Sequence, residues 1–205
     1  MMNKEDTAFN TLKTYDWGVD RAALNPIDEA IVATQNDPAA RKTLEKRLAD
    51  TLAGGLSRSA QDYVCRRLRI IGTAQSVPAL AALLPAEETS HIARYALERI
   101  SDEKATQTLR DAMPKVGPKL KPGVIGSLGS RRDGKSVETI AKFLGDSDAA
   151  IALAAAHSLA VIGTPAAGKE LSKFAKKAPA GMKMPMADAR LICAEQLLAD
   201  GKKAE

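Results

Sequence analysis

Aromatic residues are scarce in this 205-residue chain: three Phe, three Tyr and one Trp, 3% of the total. So few rings exclude an aromatic-filled core and leave little on which to stack bases. Histidine and cysteine are rarer still, two of each. His91 is followed at helical spacing by Arg94 and Tyr95, and His157 by Val161, so neither has a metal-ligating neighbour. No active-site constellation, metal or cofactor is therefore expected. Cys65 and Cys193 lie far apart in apolar helical stretches, which points to buried free thiols and fits a reducing compartment. Cys65 has Arg66, Arg67 and Arg69 nearby, cations able to lower a thiol pKa, but it also falls on an inward stripe with Val64 and Leu68. The glycine-rich fragment from Gly123 to Gly129 lacks the preceding strand a dinucleotide site requires. No stretch approaches the roughly 20 apolar residues of a membrane span. The opening residues, Met1 to Asp6, carry no apolar leader segment. The expectation is a cytoplasmic protein, or an exported one if a leader has been trimmed.

What the chain has is a period. Leu80, Leu109, Ile140 and Leu171 recur at steps of 29, 31 and 31 residues, and the phrase ends Gly72, Ser101, Gly129 and Gly163 at steps of 29, 28 and 34. A fixed step near 30 means one helical hairpin copied and stacked, because a single hairpin cannot bury enough apolar surface to offset its ordering entropy. The 45% hydrophobic content is mostly Ala and Leu, which suits close helix-on-helix packing. The fold expected is all-α, a right-handed α-α superhelix of about six hairpins. Residues 1–56 form capping helices, and repeats follow at about 57–72, 73–101, 102–129, 130–163 and 164–205, in one continuous solenoid.

Local signals place the helices. Asn25-Pro26 and Asp37-Pro38 are start signals, and Gly54-Gly55 is a stop. Ser57, Ser147-Asp148 and Thr164-Pro165 open later helices. A helix is expected from about Gln75 to Leu84, with its partner starting at Thr89. The segment around Pro118, Pro122, Gly123, Gly126 and Gly129 should give the weakest helix, short or kinked and starting near Lys119 or later. Gly126 is the candidate for a close helix crossing there. Trp17 is expected to seal the open end of the stack, with anchoring a partner as the alternative.

The phrases Leu68-Arg69-Ile70-Ile71-Gly72-Thr73, Ser76-Val77-Pro78-Ala79-Leu80-Ala81-Ala82-Leu83-Leu84 and Ala154-Ala155-Ala156-His157-Ser158-Leu159-Ala160-Val161-Ile162-Gly163-Thr164 resemble bacterial HEAT repeats of the short, phycobilisome-lyase-like type. The resemblance covers about residues 58–201 and lies in the packing positions. It implies an armadillo-type solenoid used as a scaffold, and by family name only a bilin lyase.

Function is thus sought in a surface. In the HEAT pattern the second helix of each hairpin lines the concave side. Aligning Gly72 with Ser101 puts Asp62, Arg66, Arg69, His91, Tyr95 and Glu98 outward, with Tyr63 and Arg94 at the margins. Arg and Tyr are enriched where partners dock. The bland alternative pairs Arg69 with Glu98 across adjacent repeats and uses Tyr95 to cover a neighbouring stem. Net charge is +5, yet residues 1–100 carry 13 basic and 13 acidic side chains, so the excess falls in the second half. Lys119, Lys121, Arg131, Arg132 and Lys135 form a candidate basic patch there, or a solvated face. The function expected is a non-catalytic scaffold for a protein or peptide. The alternative is nucleic-acid binding of the HEAT-like DNA-glycosylase kind, disfavoured by the shortage of aromatics.

Overall fold

The computed structural model describes residues 3–201. These residues form twelve α-helices joined by turns and short 3₁₀ segments, with no β-strand among them. Contacts divide the chain into two compact units, Met1–Thr108 and Leu109–Glu205.

The first unit contains α1 (Lys4–Leu12), α2 (Asn25–Ala33), α3 (Pro38–Leu52), α4 (Arg58–Ile71), α5 (Val77–Ala81) and α6 (Ser90–Leu97). The boundary falls inside α7 (Glu103–Ala112). Alternate helices pack on one another, α3 on α5 and α4 on α6. Leu48, Val64, Leu68, Leu80 and Leu97 are fully buried between them. The caps do what their residue types allow. The Asp37 carboxylate accepts from the Ala39 and Ala40 amides, and the Ser57 hydroxyl accepts from the Ala60 amide. In α5 the expected helix from Gln75 to Leu84 shrinks to five residues, with turns on either side.

Long-range polar contacts tie these helices together. Arg47 of α3 donates to Glu5 at 2.9 Å and Asp6 at 2.7 Å, while its guanidinium lies 3.9 Å over the Phe9 ring of α1. Glu45, buried in α3, accepts from the Thr73 amide at 2.7 Å and the Ser76 hydroxyl at 2.6 Å. That carboxylate satisfies the start of the turn between α4 and α5, and within the turn the Thr73 hydroxyl accepts from the Gln75 amide at 3.2 Å.

The second unit contains α8 (Lys121–Ser130), α9 (Val137–Ala141), α10 (Ala149–Ile162), α11 (Pro165–Ala175) and α12 (Lys183–Ala199). Here too alternate helices pack: α8 on α10, α9 on α11 and α10 on α12. Asp148 caps α10 and Thr164 caps α11. α8 starts at Lys121 with Pro122 in its first turn and runs ten residues. The close crossing expected at Gly126 is instead at Gly129. A Cβ on Gly129 would stand 2.8 Å from Ser158 Cβ and 2.9 Å from its Cα, whereas one on Gly126 would meet nothing within 4 Å. Gly163 ends α10 in the left-handed region at φ +60°, with Gln196 of α12 packed against it. Leu109, Ile140 and Leu171 are fully buried, as is Leu80 in the first unit, so the repeat period marks core positions in both.

Candidate functional site

Trp17 does not seal anything. It is 90% exposed, on the turn between α1 and α2. The turn is nevertheless held. The Asp16 carboxylate accepts from the Trp17 amide at 2.8 Å and the Ser59 hydroxyl at 3.1 Å, and the Val19 amide donates to the Asp16 carbonyl. Gly18 takes φ +88°, a conformation glycine adopts without strain. The Ser57 hydroxyl at the start of α4 donates to the Tyr15 carbonyl at 2.5 Å. The indole therefore projects into solvent from a loop tied to the N-terminus of α4.

Beside it opens a groove of about 870 Å³, walled by Tyr15, Trp17 and Val19 on one side and by α4 on the other. Its floor is a closed polar cluster. Arg67 grips Asp28 of α2 with both arms, 2.6 and 2.7 Å, and lies 3.9 Å over the Tyr63 ring. The Tyr63 hydroxyl sits 3.0 Å from the Leu24 carbonyl and 3.1 Å from Asp28. Arg21 adds a third contact to Asp28 at 3.1 Å. Burial pushes the Asp28 carboxyl up, but the Arg67 hydrogen bond and charge, with help from Tyr63 and Arg21, hold it below its ordinary value. Burial raises the Tyr63 hydroxyl well above the usual tyrosine range, so it stays protonated. On the outer wall Asp62 lies between Arg66, at 2.7 Å, and Arg58, at 4.0 Å. Four guanidiniums thus share two carboxylates.

The sequence-derived surface is partly assembled here. Arg66 and His91 are exposed, while Asp62, Arg69, Arg94, Tyr95 and Glu98 are half-buried. Tyr63, expected at the margin of the outward face, is buried because its hydroxyl and ring complete the Asp28–Arg67 cluster. Arg69 stacks over the Tyr95 ring at 4.4 Å instead of pairing with Glu98, and Arg66 approaches the same ring at 5.6 Å. Tyr95 of α6 therefore joins the two arginines of α4. Trp17, Arg21, Arg58, Arg67 and Asp28 were missed as a group; they are distant in sequence, and no short-range spacing signals their meeting.

Two side chains of the basic stretch of the second unit have partners within the fold. Arg132, at φ +51°, forks onto Asp200 at 3.2 and 2.5 Å, and Lys121 lies 5.4 Å over the Phe143 ring. Lys119 and Lys135 are exposed and Arg131 is half-buried. Among the described residues no three His, Cys, Asp or Glu side chains converge to hold a metal, and no helix is long and apolar enough to cross a membrane. Burial pushes the Cys65 thiol up to about 12, which keeps it protonated at neutral pH.

No family model matches the chain, and no curated protein matches it in sequence.

Proposed function

We propose that this chain is a non-catalytic protein- or peptide-binding module of the HEAT-like kind, its hairpins successive turns of a right-handed superhelix. The packing of alternate helices within each unit supports the solenoid reading. One observation carries the function: the sole tryptophan stands almost fully exposed on a hydrogen-bonded turn, at the mouth of a groove whose floor is already satisfied. An indole left in water costs about 1.5–3 kcal/mol relative to burial, so its exposure on an ordered loop fits an anchor awaiting a partner. Four arginines facing two aspartates favour an acidic ligand segment with an apolar side chain to cover the indole. The surface of Arg66, Arg69 and Tyr95 continues from this groove along α4 and α6.

The test is a selection of peptides from a random displayed library against the whole chain. Acidic sequences with an apolar residue should be enriched, and their binding should shift the fluorescence of Trp17 to shorter wavelength. Trp17→Ala should weaken that binding by at least about tenfold and leave thermal unfolding unchanged. Enrichment that is indifferent to Trp17, or no enrichment at all, would defeat the proposal.

A further inference from the structure

The last helix has two apolar faces. Met186, Ala189, Cys193 and Leu197 of α12 are buried in the second unit, where the helix packs on α10 and α11. Its other face presents Met184, Leu191 and Leu198, exposed at 71%, 61% and 68%. These three are spaced by seven. Ala187, exposed, and Ala194, half-buried, fall between them at the i+3 positions. Met184, Ala187, Leu191, Ala194 and Leu198 therefore occupy the a and d positions of a coiled-coil seam about 21 Å long.

The flanking charges specify what fits. Lys183 and Arg190 take the g positions, and Asp188 and Glu195 the e positions. All four are exposed, and none is held in an ion pair with another described residue. In a parallel pair each g residue meets the e residue five places further along the other helix. Lys183 then faces the partner's Asp188, and Arg190 faces the partner's Glu195. Two-fold symmetry repeats both contacts, so four opposite-charge pairs bracket the seam. An antiparallel pair would set g against g and e against e, basic against basic and acidic against acidic. The alanines at d also allow the backbones to approach closely, as two copies of one helix require.

We infer that α12 is a homodimerisation helix, pairing in parallel with the same helix of a second copy of this chain. The seam spans little more than two heptads, so the dimer is weak and its population depends on concentration.

Sedimentation of the full chain over a range of concentrations reads this directly. The wild type should pass from monomer to dimer. Leu191→Asp, at the centre of the seam, should raise the dissociation constant by about 30-fold or more while the far-ultraviolet circular dichroism stays unchanged. The charge variants K183E/R190E and D188K/E195K should each be monomeric alone and associate when mixed, which keeps the test independent of Leu191→Asp. Met184→Cys should cross-link to itself on oxidation, since the parallel arrangement apposes the two copies of that position and the native thiols are buried. A chain that stays monomeric at every concentration overturns the inference. So does a dimer that survives Leu191→Asp, or a Met184→Cys variant that cross-links only to Leu198→Cys.

Discussion

In the unit that ends at Thr108, helices are fixed by charged side chains reaching across the fold. Arg47 clamps α1 to α3, Glu45 satisfies the turn before α5, and Arg67 with Asp28 joins α4 to α2. In the unit that begins at Leu109, the central helix α10 is half alanine, seven of its 14 residues. Its neighbours meet it through absent side chains: Gly129 against Ser158, and Gly163 against Gln196. The second unit has charged pairs too, but Arg132 with Asp200 lies at the surface, and Asp133, paired with Arg110 at 2.7 Å, lies at the turn before α9, where Ser136 also donates to it. The difference is one of specification. Directional pairs fix register by leaving a costly orphan if a helix slides, whereas small residues fix it by steric fit at one crossing.

The largest expected effect breaks the polar device. Glu45→Ala strands the Thr73 amide and the Ser76 hydroxyl, and should destabilise the first unit by about 2–3 kcal/mol. A urea titration followed by circular dichroism measures it. Ser76→Ala alone should cost less, because the carboxylate retains its bonds to Thr73.

The steric device is broken by a single methyl. Gly129→Ala places a carbon against the Ser158 Cα and Cβ, atoms that cannot swing away, and should destabilise by about 2 kcal/mol. Three residues earlier in the same helix the sign reverses. Gly126→Ala meets open space and gains helix propensity, so it should stabilise by about 1 kcal/mol. Equal effects at the two positions would show that propensity, not the crossing, governs α8.

Much of this was readable in the residue order, but only where the signal is local. The period found Leu80, Leu109, Ile140 and Leu171, because core positions in a stacked array repeat with the hairpin. The caps at Ser57, Asp148 and Thr164 follow from side-chain chemistry within three residues. Gly129 and Gly126 look alike in sequence; what separates them is a serine 29 residues away. Glu45 reads as an ordinary surface glutamate until Thr73, 28 residues on, arrives beside it. Trp17 was misplaced because an indole is expected to be covered, and only the Asp16 and Ser59 contacts reveal a turn built to hold it out. The outer face of α12 was hidden for another reason: apolar residues on two sides blur the stripe, and burial alone says which side the fold has used.

Acid gives the smallest effect and the sharpest contrast between the units. Burial raises the Asp28 carboxyl, but Arg67, Tyr63 and Arg21 together outweigh it and leave the folded value below the ordinary 3.8. A carboxyl depressed on folding contributes stability that is fully present above its unfolded value and is lost as pH falls through the folded one. Asp28→Asn should therefore lower the urea midpoint at about pH 7, with the gap to wild type narrowing toward about pH 3. The effect is modest because the Asp28 side chain is 34% exposed and water screens part of the pairing. The difference between Gly129→Ala and Gly126→Ala contains no proton, so it should be the same at both pH values. A glycine difference that changed with acid would mean that packing around α8 is coupled to a titrating group, and the distinction between a charge-fixed and a sterically fixed unit would fail.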